Sequence, residues 1–405
     1  MPIARELPLR IRMLNGVGRW LARGGIRIAP FDPDALRKLA MRKTGLSDFD
    51  EDPRFREALA VLCRSAEDDA ALSLAGRVAI RDYVVHALVN RLRYVHARNV
   101  EPEVAEVELE PPIIVIGLPR SGTTLLHHLL ALDPQARSLL FWELREPIPG
   151  PGPDRRRDDL ARMLRDIKRM DGGIDGKHHF GVDNPEECML LLDSTLMSVS
   201  FWVFAPVHGY LAWLRHQDQR EGYQVYRWYL QRFQRDSPGR RLVLKAPAHT
   251  AALGALLEAV PNARLVQTHR DPAQVAPSLH SLIFSLHSMV GDPVAVERMC
   301  QGNLAHLEHI VATAEATRAA GHTWVDVRYE QLVRDPVAVV RDIHRSFDLP
   351  VTDEFVTRME RFVAARPKDK FGTHQYTAED FGTTAAALRE RFSEYHRKHV
   401  VETST

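Results

Sequence analysis

The sequence predicts an α/β protein: a small parallel sheet with helices on both faces, preceded by an N-terminal helical region and interrupted by a helical insertion. Three observations lead there. The run Ile113-Ile114-Val115-Ile116 is apolar throughout and mostly β-branched, the pattern of a strand buried on both faces. A Gly-x-x-x-x-Gly turn follows and opens into Leu125-Leu126-His127-His128-Leu129-Leu130, whose apolar spacing suits a helix. Stretches near 242–245, 264–268 and 323–327 that read as strands then alternate with helical patterns, as parallel strands joined by crossovers require.

Taken along the chain, residues 1 to about 109 read as the N-terminal helical region, most clearly over 54–63 and 76–95, with no chemical motif. The acidic, Pro-containing segment 101–112 leads into the first strand. A Pro-Gly run at 147–153 marks a loop before an Arg- and Asp-rich helix over 155–170. The helical insertion spans about 154–235 and is expected to form much of the wall of any ligand site. Within it, 188–214 is strongly apolar, yet Pro206, His208 and several Ser and Thr interrupt it. That predicts two buried or groove-lining helices rather than a membrane span. Phe201, Trp202, Phe204, Tyr210 and Trp213 are expected to be mostly core, and any that face the site would favour an apolar acceptor.

The chemistry concentrates after the first strand. Strand, glycine-bearing loop and helix, an arrangement of the P-loop type, aim several backbone N–H groups and a positive helix end at one anion. Arg120, Ser121, Gly122, Thr123 and Thr124 are therefore candidate ligands of a phosphate or sulfate group. A nucleotide-hydrolysing loop reads Gly-x-x-x-x-Gly-Lys-Ser/Thr, its Lys reaching the β/γ-phosphates and its hydroxyl holding Mg²⁺. Thr123 stands in place of that Lys, and the nearby cation is Arg120. A phosphoryl group in transit carries about two negative charges and relies on a metal with the Lys. A sulfuryl group carries only about one, which a loop cation, amides and hydroxyls can balance without metal. The substitution favours sulfuryl transfer.

On these residues the chain resembles the sulfotransferases that use 3′-phosphoadenosine 5′-phosphosulfate (PAPS). Their 5′-phosphosulfate loop reads Lys/Arg-Ser-Gly-Thr-Thr, matched by Arg120-Ser121-Gly122-Thr123-Thr124. In that family a strand ends in Arg, and a Ser eight residues on lies in the following helix; together they hold the 3′-phosphate. Arg270 and Ser278 fit that spacing within His269-Arg270-Asp271-Pro272. The physics agrees, since Arg offers a rigid fork to phosphate oxygens and Asp271-Pro272 makes a helix start. The Tyr-Glu-x-Leu at Tyr329 resembles a family motif whose Tyr lies near the nucleotide. Lys368, Lys370 and His374 resemble, more loosely, the C-terminal basic loop that closes on the 3′-phosphate and adenine. The likeness covers about 110–400, a sulfotransferase-like α/β domain.

The resemblance also implies roles. Lys245, at the end of the apolar run Leu242-Val243-Leu244, corresponds to the Lys that stabilises the bridging oxygen as it leaves. For the base that takes the acceptor's proton, Glu143 is the first choice and His249 the second; His178, His179 and Glu187 are outside candidates. Cytosolic members place a His two residues after the Lys, where this chain has Pro247. The implied cosubstrate is PAPS, with no metal. The implied partner is a small molecule or lipid bearing a hydroxyl. Two other classes remain open: a P-loop kinase or NTPase, which the missing Lys disfavours, and a catalytically silent PAPS-binding protein, which Lys245 disfavours.

Composition agrees. A chain of 405 residues, 45% hydrophobic and 26% charged, can bury a large core, and a net charge of +1 disfavours nucleic acid as a partner. Cys63, Cys188 and Cys300 have neither metal-ligand nor disulfide-framework spacing, which suits a reducing cytoplasm. The first 30 residues carry six Arg and one Glu without an apolar core of signal-peptide length. This basic, partly amphipathic start fits either a helical arm packed on the domain or weak contact with an anionic membrane surface. No motif sets an oligomeric state.

Overall fold

The computed structural model describes residues 8–26, 28–50, 52–170, 181–365 and 377–401. Among them, five strands form one parallel sheet: β1 (Ile113–Gly117), β2 (Ala136–Arg137), β3 (Arg241–Lys245), β4 (Arg264–His269) and β5 (Val325–Arg328), in the spatial order β2-β3-β1-β4-β5. β1 lies at the centre, with Val115 opposite Lys245 on one side and Val266 on the other. All five of its residues are buried.

Alternation along β1 explains why helices cover both faces. Ile113 and Val115 point into a cluster with Leu126, Leu129 and Leu130 of the helix Thr123–Leu130 and with Val340 and Phe355 from later helices. Ile114 and Ile116 point the other way, toward Tyr226 and Tyr229 of Arg220–Arg235 and Leu253 and Leu256 of Leu253–Ala259. Each such aliphatic side chain contributes about 1.5–3 kcal/mol by leaving water, so a polar residue anywhere in β1 is excluded.

The expected helices form as Pro53–Asp68, Leu74–Val100 and Arg156–Met170, the first two with longer bounds. Asp52 and Ser73 cap the first two by accepting from the N–H groups of Arg54 and Gly76. The N-terminal helices share one apolar cluster with Leu196, Met197, Phe201, Tyr210 and Leu214. The apolar segment 188–214 divides into three pieces rather than two, a 3₁₀ turn Cys188–Thr195 and the short helices Ser200–Phe204 and His208–Leu214. Phe201, Trp202 and Tyr210 are core, while Phe204 and Trp213 are partly exposed. No described helix is long and apolar enough to cross a membrane. The two-residue β2 is too short to leave a periodic signal, and β5 starts at Val325, later than 323.

Candidate active site

The site forms where the central strands end. β1 stops at Gly117, whose φ is +127° and whose Cβ, if present, would lie 2.4 Å from the Thr268 carbonyl oxygen. Only glycine lets β1 run this close to β4 while turning into the loop. The Gly117 N–H donates to Thr250 Oγ1 at 2.9 Å, which ties the loop to the 3₁₀ turn after β3. The Ser121 hydroxyl is fully buried, bonded to Thr268 Oγ1 and to the Leu118 carbonyl. Its position in the motif suggests a ligand contact, but its oxygen braces the loop. Gly122, at φ +93°, opens the helix Thr123–Leu130 without a side-chain cap for the first-turn amides. Thr123 is buried and Thr124 exposed.

The second motif folds onto this loop from β4. Arg270 Nη1 donates to the Arg120 carbonyl oxygen at 2.9 Å, and its guanidinium lies 4.0 Å from the Tyr329 ring centroid. The same Tyr329 ring packs beneath Gly122, 3.0 Å from where a Cβ would be. Gln274 Oε1 accepts from Arg270 Nε and Nη2 at 3.1 and 3.0 Å, which fixes the fork. Arg120 Nε donates to Ser278 Oγ at 3.1 Å. Ser278 sits in the helix Pro272–Val290, whose first turn is capped by Asp271 accepting from Ala273 N–H; Arg389 in turn grips Asp271. Arg120, Gly122, Arg270, Ser278 and Tyr329 thus converge on one locus.

Lys245 ends β3 beside Val115 of β1 and is buried. Its ammonium donates to Glu187 Oε1 at 2.9 Å and lies 3.8 Å from Glu186 Oε1. Burial pulls its pKa down, but the Glu187 and Glu186 carboxylates outweigh that, so the amine is held above its ordinary value and stays charged.

The two leading base candidates make other contacts. Glu143 accepts from the Leu140 N–H at 2.9 Å and pairs with Arg137, so both its oxygens serve the start of the helix Phe141–Arg145. His249 is sealed among aromatic side chains, with Nδ1 2.8 Å from the Tyr223 hydroxyl and Nε2 3.2 Å from Cys188 Sγ. Burial pushes its pKa down to about 3. The carboxylate in contact with Lys245 is that of Glu187, an outside candidate from sequence. Its mark in the sequence is an acidic pair placed directly before the buried run Cys188-Met189-Leu190-Leu191-Leu192. Lys368, Lys370 and His374, with His178 and His179, lie outside the described residues.

Between the turns Cys188–Thr195 and Pro247–Ala252 lies a narrow pocket of about 20 Å³, room for a single water. Met189, Leu192, Val199, Tyr223, Ala248 and Ala251 are among its walls. Arg215, Gln219, His306 and His309 line it too, so its walls are mixed rather than wholly apolar.

The Sulfotransferase family profile matches residues 111–353, which spans β1 through the start of Asp353–Ala364. The chain belongs to the sulfotransferase family. This sulfotransferase is 26% identical over 281 residues to the omega-hydroxy-beta-dihydromenaquinone-9 sulfotransferase Stf3 of Mycobacterium bovis and of Mycobacterium tuberculosis, covering 67% of this chain and 71% of theirs. The crystal structure of sulfotransferase STF9 from Mycobacterium avium superposes with a TM-score of 0.82 at 31% identity, covering 91% of this chain and 97% of that one. Sulfotransferase STF1 from Mycobacterium tuberculosis gives 0.77 at 33% identity, covering 89% and 98%.

Proposed function

We propose that this sulfotransferase moves a sulfuryl group from PAPS to the hydroxyl of an apolar acceptor, with Lys245 and Glu187 at the point of transfer. The observation that carries the donor reading is the convergence of Arg120, Arg270, Ser278 and Tyr329 on the loop after β1. The residues suit a nucleotide with anions at both ends. Arg120 and the amides of Gly122, Thr123 and Thr124 form the cradle for the 5′-phosphosulfate. Arg270, with Ser278 on the next helix, supplies a fork and a hydroxyl for the 3′-phosphate. Lys368, Lys370 and His374 belong to this proposal as the closing basic loop.

PAPS supplies an activated sulfur–oxygen bond. That bond to the 5′-phosphate breaks as the acceptor oxygen bonds to sulfur, and the hydroxyl proton needs a destination. An ammonium has three N–H donors, and Glu187 engages one of Lys245's. The others serve the oxygen that gains charge on leaving. Glu187 keeps a partly exposed carboxylate while Lys245 has almost none of its side chain in solvent, so Glu187 is the group the acceptor reaches. It takes the proton. Glu143, already committed to Arg137 and Leu140, positions the neighbouring segment, since Glu186 N–H bonds to the Leu139 carbonyl. The apolar acceptor is supported by the Stf3 relatives, whose name specifies a hydroxylated dihydromenaquinone.

Thermal shifts with adenosine 3′,5′-bisphosphate, 5′-AMP and ATP test the donor reading. A ligand at a hundred times its Kd stabilises the native state by about 2.7 kcal/mol. The 3′-phosphorylated nucleotide is expected to shift the midpoint most, and Arg270→Ala to abolish that preference. Equal shifts with 5′-AMP would refute it.

A further inference from the structure

An ordinary surface helix turns its apolar stripe inward. The helix Leu9–Arg23 also turns an apolar stripe outward. Its packed side holds Ile11, Gly18 and Leu21, all partly buried, with Asn15, which is buried and accepts from the Ala75 N–H at 3.0 Å; Gly18 lies against Leu74. On the opposite side Leu9 is 63% exposed, Met13 65%, Val17 52% and Trp20 71%. At 3.6 residues per turn these four fall within about 80° of arc. Ile26 and Ile28, just beyond the helix, are exposed too.

Charge says what covers the stripe. Arg12, Arg19 and Arg23 line one margin and Arg10 the other, and the helix carries no acidic residue. Six Arg fall in the first 30 residues of a chain whose net charge is only +1. Pairing this face with a second copy would set like charges against each other. An anionic bilayer answers both features, taking the apolar side chains below its headgroups and the guanidinium groups of Arg10 and Arg23 among its phosphates.

We propose that Leu9–Arg23 is an interfacial arm that lays this sulfotransferase on an anionic phospholipid surface. The arm sits at the far end of Pro272–Val290 from Arg270. Ser73 N–H bonds to the Val290 carbonyl, and Arg19 pairs with Asp292 beside it. Nineteen helical residues span about 28 Å, so the loop after β1 stays well clear of the contact. This inference goes beyond the proposed donor and acceptor and does not depend on them.

Cosedimentation with vesicles tests it, using phosphatidylcholine alone and phosphatidylcholine mixed with phosphatidylglycerol. The chain is expected to bind the mixed vesicles, and less so as salt rises. The exposed triple variant Met13→Glu/Val17→Glu/Trp20→Glu should stay in the supernatant while keeping its thermal midpoint and its shift with adenosine 3′,5′-bisphosphate. Arg10→Gln/Arg23→Gln should lower the partition roughly 30-fold. Triple-variant binding equal to wild type, or no wild-type binding to either vesicle, overturns the proposal. So does light scattering that shows a wild-type dimer made monomeric by the triple variant, since the face would then be a self-interface. Nucleotide shifts are read separately, so neither proposal's failure imitates the other's.

Discussion

Replacing Lys245 by Met removes the cation from a buried pair while keeping its aliphatic length. Glu187 and Glu186, at 2.9 and 3.8 Å, are left facing each other's charge without an ammonium. Breaking a buried pair from one side typically costs about 3–5 kcal/mol. Glu187 retains 21% side-chain exposure and can recruit water, so the lower end, about 3 kcal/mol, is expected. That is less than the roughly 5–15 kcal/mol of a typical native state, so Lys245→Met should fold. Adding Glu187→Gln neutralises the orphaned carboxylate and should recover about 2 kcal/mol as a coupling energy. Catalysis should respond differently. Loss of a donor to a developing oxyanion slows transfer by about 10²–10³, and the second substitution should not restore it. Urea unfolding of wild type, both single variants and the double gives the stability cycle. Release of adenosine 3′,5′-bisphosphate with a hydroxylated quinone gives the rate. Turnover of Lys245→Met within threefold of wild type would refute the leaving-group role, and additive stability losses would refute the pair.

Two further outcomes follow from burial and backbone geometry. His127, His249 and His287 are buried with pKa values pushed down to about 3, so the native state keeps them neutral where the unfolded chain protonates them near 6.5. Their contribution is whole above pH 6.5 and is lost as pH falls toward 3; at pH 5 each has lost about 2 kcal/mol. The urea midpoint should therefore drop steeply from pH 7 to 5 and less so in His249→Gln; an unchanged midpoint would contradict it. Gly117→Ala places a Cβ against the Thr268 carbonyl at a φ that L-residues rarely adopt, and should cost about 2–4 kcal/mol in the same assay. A change under about 0.5 kcal/mol, the range of an ordinary surface substitution, would mean that β1 and β4 separate freely there.

The parts legible in the sequence were those whose physics is local. β1 and the middle of β3 are continuous apolar runs because both faces of a central parallel strand are covered, and such runs are visible without partners. The glycines of the loop and the Arg-to-Ser spacing across β4 and its helix follow from turn and helix geometry, so their convergence could be expected. The surroundings of Lys245 could not. Glu187 arrives from the helical insertion, whose path is set by packing of Leu191, Tyr226 and Tyr229 rather than by any repeat in the chain. His249 follows the Lys closely enough to look catalytic, yet the 3₁₀ turn Pro247–Ala252 rotates it inward onto Tyr223. Ser121 has the right motif position, but a hydroxyl's direction is settled by Thr268, far away in sequence.

The bond from the Arg270 guanidinium to the Arg120 carbonyl joins the end of one strand to the turn after its neighbour. Folding therefore sets the span between these two segments in advance. On the proposed donor reading a cradle of fixed length is a ruler: it would measure its occupant from tail to ribose and reward only the molecule whose charges fall on both marks.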